Sequence, residues 1–158
     1  MKKVKTNAMR ILDKEKIDYE SMNYSTDDGK IDGVSVARKI GREPGTVYKT
    51  LVGQGAGKEY YVFVIPVEAE LDLKKAAKAA GEKKVEMLAV KDLLPVTGYV
   101  RGGCSPIGMK KLYSTIVEEQ AAELEKVIVS AGKIGHQVVL SPQDLMKVTN
   151  GRYANVSK

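Results

Sequence analysis

The sequence predicts an α+β fold: a mixed, mostly antiparallel sheet curled into a barrel-like core, with helices around it. Three observations carry this prediction. Two runs rich in β-branched and aromatic residues, 47–52 and 60–66, flank a glycine-bearing connection (Gly53, Gly55, Gly57) and read as a hairpin. Three further strand-like runs, 112–117, 127–131 and 137–140, fill the second half, with Gly132 and Gly135 between the last two. Helical stretches fall among them without the regular strand–helix–strand alternation of a doubly wound sheet. A length of 158 residues suits one domain, 1–158, able to bury a core without disulfides or metals.

The elements follow in order. Thr6 or Asn7 can cap a first amphipathic helix carrying Ala8, Ile11, Leu12 and Glu15, which has ended by Asp18. Residues 19–24 form a short extended segment, followed by a polar loop, 25–32, that contains Asp28-Gly29. Ser35 is placed to cap a brief helix through Ala37 and Ile40, and Gly41 suits a left-handed stop. Pro44-Gly45 marks a turn before the hairpin. Residues 72–80 set lysines against alanine and leucine at helical spacing and stop at Gly81. A shorter helix from Val90 ends at Leu94, because Pro95 disfavours helical backbone before it. Ser141-Pro142-Gln143-Asp144 opens the last helix with a serine cap, proline in the first position and a carboxylate in the first turn.

Composition narrows the chemistry. With 43% apolar and 29% charged residues the chain reads as folded, not disordered. Cys104 is the one cysteine, so neither an intrachain disulfide nor a cysteine-rich zinc site can form, and a reducing compartment is expected. His136 is the one histidine, flanked by Gly135 and Gln137, with no paired metal-ligand spacing and no setting for a Ser-His-Asp or Cys-His catalytic group. Phosphate-loop and dinucleotide-binding glycine motifs are missing, and neither metal nor cofactor is expected. The basic start at residues 1–7 runs into Arg10 and charged residues 13–16 where a signal peptide needs its apolar stretch, and no segment has a membrane span's length. The expected location is the cytoplasm. A formal charge of +6 suits either contact with nucleic acid or a lysine-rich soluble surface.

Two features concentrate chemistry. Lys49 shares a strand face with Val47 and Leu51, since side chains alternate by two. Its spacing fits a snorkelling lysine whose ammonium stays wet, or a cation in a cleft that holds a phosphate or stabilises charge at a reacting carbonyl. The segment 98–108 carries four glycines, and so lets backbone approach a ligand or simply makes a tight connection. Ser130-Ala131-Gly132-Lys133 is a smaller version. Cys104, without a histidine partner, reads as a packing residue, and Asp144 as a first-turn helix carboxylate.

Val47-Tyr48-Lys49-Thr50-Leu51, Leu73-Lys74-Lys75-Ala76-Ala77, Lys84-Val85-Glu86-Met87, Thr97-Gly98-Tyr99 through Gly102-Gly103-Cys104-Ser105-Pro106-Ile107-Gly108, and Val129-Ser130-Ala131-Gly132-Lys133 resemble the YbaK/EbsC family in order and spacing. With Thr6-Asn7-Ala8, the resemblance spans nearly the whole chain. It implies the fold of the editing domain of some bacterial prolyl-tRNA synthetases, and deacylation of Cys-tRNA(Pro) through attack of the substrate's own thiol on its ester. Lys49 and Tyr24 would then be catalytic. Thr50, Gly102, Gly103, Ser105, Pro106, Ser130 and Gly132 would bind substrate. Aminoacyl-tRNA and prolyl-tRNA synthetase would be partners. Other mischarged substrates, Ala-tRNA(Pro) or Ser-tRNA, and a non-catalytic tRNA-binding role remain alternatives. Gln137 stands where some members carry an aspartate, and Asp32, before Gly33, where an aromatic can occur.

Overall fold

In the computed structural model, residues 5–158 are described; residues 1–4, part of the basic start, lie outside the described residues. The first helix, α1 (Asn7–Lys14), begins where Thr6 Oγ1 accepts from the Met9 amide at 3.1 Å and buries Ala8, Met9 and Leu12. The extended segment after it is β1 (Glu20–Asn23).

In the second helix, α2 (Gly33–Lys39), the cap differs from expectation. Asp32, not Ser35, takes the cap: its Oδ2 accepts from the Ser35 amide at 3.1 Å, and Ser35 Oγ donates to its Oδ1 at 2.7 Å. Asp32 alone has the extended backbone that a cap needs, and Ser35 sits within reach one turn later, so the helix starts earlier than Ser35 suggested.

The hairpin is β2 (Tyr48–Gly55) and β3 (Tyr60–Pro66), in register from Tyr48 opposite Pro66 to Gln54 opposite Tyr60. Gly53 and Gly55 belong to the strand and not to the connection. A Cβ on Gly53 would lie 2.7 Å from Val85 Cγ1, and one on Gly55 would collide with Glu82, so these glycines let the chain after the next helix pack close. That helix, α3 (Leu73–Ala80), is capped by Asp72 and ends at Gly81 with φ +74°. It leads into β4 (Val85–Met87).

α4 (Val90–Thr97) runs through Pro95 instead of stopping at Leu94. The proline costs only the one bond that the Lys91 carbonyl would accept, and the turn after it still closes: Thr97 Oγ1 donates to the Leu93 carbonyl at 2.8 Å and the Gly98 amide to Leu94 at 2.8 Å. The second half supplies β5 (Ser114–Glu118), β6 (Val127–Ser130), β7 (His136–Leu140), α5 (Pro142–Thr149), with the expected Ser141 cap, and β8 (Arg152–Ala154).

These strands hydrogen-bond as two sheets, ordered β4-β2-β3-β5-β8 and β1-β7-β6. Antiparallel pairing dominates, with β3–β5 and β5–β8 parallel. The class is α+β, as expected, and an isolated parallel bridge between Val47 and Ile128 joins the sheets. Tyr48, Val62, Val64 and Val117 of the larger sheet form the main core with Val127, Val129, Val138 and Leu140 of the smaller, closed by α1 and by Leu145 of α5. Phe63, Ile65 and Ile116 pack on the alanines of α3 on the other face. Where the sheets converge, Val47, Val67, Ile128 and Val139 pack on Ala37 of α2. A cleft opens beside this junction.

Candidate functional site

Between the bridge at Val47 and Val52, whose carbonyl accepts from the Leu88 amide at 2.9 Å, β2 pairs with no second strand among the described residues. Its edge is therefore open, and six consecutive residues, 47–52, line a cleft of about 800 Å³. Tyr24 after β1, the loop into α2, the Met87–Leu93 region, the glycine loop, Ser130 and Gln137 complete the wall. An open strand edge explains why Lys49 and Thr50, whose side chains alternate, both reach one cavity.

Lys49 is half-buried and has no hydrogen-bond or ion-pair partner among the described residues. Burial lowers its pKa from the ordinary lysine value, and the Glu70 carboxylate opposes the shift without overcoming it. The hydroxyls of Tyr24 and Thr50 and Oε1 of Gln137 are buried without a partner as well. Each such group costs about 1–3 kcal/mol when left unpaired. Three of them on three elements around one cleft mark a site shaped for a polar ligand.

The wall opposite is fixed by glycine. Gly98 (φ +87°) ends α4, the Tyr99 hydroxyl donates to the Ile107 carbonyl at 2.6 Å, and the Gly103 amide donates to Val100 at 3.0 Å. Gly102 (φ +87°) lies against Ile31: a Cβ there would come within 2.8 Å of Ile31 Cδ1. Cys104 lines the cleft, but burial pushes its thiol up to about 11, so it stays protonated and is no thiolate nucleophile at neutral pH. His136 does not line the cleft, and among the described residues no three His, Cys, Asp or Glu side chains group as metal ligands.

A family model for the aminoacyl-tRNA editing domain matches residues 32–148, most of the chain. The chain belongs to this family. It is 48% identical over 153 residues to the Enterococcus faecalis protein named "Putative Cys-tRNA(Pro)/Cys-tRNA(Cys) deacylase EbsC", covering 97% of this chain and 93% of that protein. It is 26% identical over 109 residues to the uncharacterized protein YwhH of Bacillus subtilis, covering 69% of each. Its fold is that of a protein described as "a putative trans-editing enzyme for prolyl tRNA synthetase", with TM-score 0.84 at 20% identity over 99% of both chains.

Within this editing domain, the structure brings together Lys49, Tyr24, Thr50, Gly102 and Ser130 of the residues singled out from sequence. Tyr24 comes from β1's end, ahead of the segment the family model matches, and is tied down by its amide donating to Gly135 at 3.0 Å. Gly103, Ser105, Pro106 and Gly132 stand behind the wall. Gly103 admits the Ile134 backbone, whose amide nitrogen would lie 2.9 Å from a Cβ. Ser105 is fully buried and its hydroxyl accepts from the Ile107 amide, Pro106 is buried beside it, and Gly132 lies under the Tyr99 ring. Ser130 Oγ in turn accepts from the Gly132 amide at 3.1 Å. Asp32, Gln137 and Arg101 also line the cleft and were not assigned to the site from sequence. Gln137 shows itself there only as a departure from the family pattern, and Arg101 sits inside the glycine motif without any signal of its own.

Proposed function

We propose that the protein is a trans-editing deacylase that clears cysteine from mischarged Cys-tRNA(Pro), acting in the cytoplasm alongside prolyl-tRNA synthetase. The observation that carries this reading is the unpaired, half-buried Lys49 ammonium in one cleft with the unpaired groups of Tyr24, Thr50 and Gln137. Likeness to EbsC supports it. The cleft suits the aminoacyl end of the tRNA, which Cys-tRNA(Cys) shares, so selection of the tRNA body falls to the synthetase.

The cleft's own thiol is protonated, and deacylation here needs no protein nucleophile. The substrate thiol attacks its ester carbonyl, a C–S bond forms, and the C–O bond to the ribose breaks. The thiol proton ends on the departing ribose oxygen, leaving a cyclic thiolactone that water opens to cysteine. The protein contributes alignment and charge. Lys49 stabilises the developing oxyanion, and its lowered pKa suits it to relay that proton, giving one to the leaving oxygen and regaining one from the substrate thiol. Tyr24, Thr50 and Gln137 orient the aminoacyl group.

Parallel deacylation of Cys-tRNA(Pro), Ala-tRNA(Pro) and Ser-tRNA tests the mechanism. Thiol-assisted cyclisation releases cysteine and leaves alanine and serine esters intact. Equal release of alanine would replace it with attack by water.

A further inference from the structure

Arg101 lines the cleft from the glycine loop. It is exposed, and among the described residues its guanidinium has neither an ion pair nor a hydrogen bond. The backbone beneath it is set by Gly102, whose left-handed conformation and contact with Ile31 fix the direction of the loop. Only one carboxylate lines the cleft, Asp32, and its oxygens already cap α2 through Ser35. The cavity therefore holds two cations at different depths, Lys49 half-buried and Arg101 exposed, against the single lining carboxylate of Asp32, and among the described residues neither cation is ion-paired.

We propose that Arg101 forms a phosphate subsite at the mouth of the cleft, gripping an internucleotide phosphate of the single-stranded RNA 3′ end as it leaves the pocket. The inference rests on the editing reading for the identity of the RNA. Its chemistry stands separately: a planar guanidinium matches two phosphate oxygens at once, and an unpaired arginine at the rim meets the strand where the terminal nucleotide has passed inside. Contacts of this kind position the strand and add affinity without reading sequence.

The test is binding of an uncharged RNA minihelix ending in CCA, followed by fluorescence anisotropy across a salt series, for the wild type, Arg101→Ala, Arg101→Lys and Lys147→Ala. Lys147 is exposed on α5, which lends no residue to the cleft. Loss of one phosphate contact to a single strand lowers the slope of log K against log salt by about 0.7. Arg101→Ala should show that drop with affinity about tenfold weaker. Arg101→Lys should keep the slope but recover only part of the affinity, and Lys147→Ala should match the wild type. In deacylation, Arg101→Ala should raise KM and leave kcat unchanged. An unchanged slope in Arg101→Ala, or an equal drop in Lys147→Ala, would overturn the subsite. A specific slope change in a protein that deacylates no aminoacyl-tRNA would uphold the subsite and sink the editing reading.

Discussion

The Tyr99 hydroxyl donates to the Ile107 carbonyl at 2.6 Å, closing the glycine loop on itself across eight residues. The same ring covers Gly132, where a Cβ would lie 2.7 Å from Tyr99 Cε1. One tyrosine thereby ties both glycine segments singled out in the sequence into a single wall of the cleft. Tyr99→Phe leaves a buried carbonyl without its donor and should cost about 1–3 kcal/mol of unfolding free energy, measured by urea denaturation. Gly132→Ala should cost at least as much, because its φ of +95° and the ring above it both exclude a methyl group.

Gly102→Ala separates the wall from the fold. Its added methyl meets the far end of the Ile31 side chain, which can shift, so the expense is mainly the left-handed backbone, about 1 kcal/mol. The displaced residue lines the cleft, and kcat/KM should fall by a larger factor than stability alone explains. Thermal melts beside deacylation kinetics check this; proportionate losses would make Gly102 a scaffold residue only.

Lys49 should show its environment in pH dependence. Burial holds its pKa below the ordinary lysine value, so between the folded pKa and 10.5 the unfolded chain binds more protons, and this group's contribution to stability rises with pH. Activity should move oppositely, declining as the ammonium is lost, with an alkaline limb below 10.5 after correction for spontaneous ester hydrolysis. Lys49→Met should flatten the stability profile in that range.

Glu118 is buried and receives the amides of Gln120, Val156 and Ser157 at 3.0, 3.1 and 3.1 Å, pinning the C-terminal segment to β5. Burial alone would raise its pKa, but the amides together outweigh it and hold the carboxyl below the usual glutamate value. A depressed carboxyl stabilises above its unfolded pKa and loses that contribution as pH falls through the folded value. Glu118→Gln should therefore cost about 1–3 kcal/mol at pH 7 and progressively less in acid, as read from denaturation at several pH values.

Local signals made much of this fold legible. The β2–β3 hairpin, the Ser141 cap and the glycine stop after α3 are written in contiguous residues, whereas Asp72, expected inside the helix, is its cap. β4 and β8, three residues each, are too short to carry a period, and the parallel pairing of β3 with β5 joins segments some fifty residues apart. Ser35 and Asp32 both satisfy the cap pattern, and only backbone conformation decides between them. At the site, Lys49 drew notice as a charge on an apolar row. The open edge of β2, the unpaired Gln137 and the exposed Arg101 arise from tertiary placement, which spacing along the chain does not encode.

The most direct measurement is release of labelled cysteine from Cys-tRNA(Pro) by the wild type and by Lys49→Ala, with circular dichroism on both. The wild type should release cysteine, and Lys49→Ala should lose that activity while keeping an unchanged spectrum. A folded Lys49→Ala protein that deacylates at the wild-type rate would contradict the assignment of Lys49 as the catalytic cation.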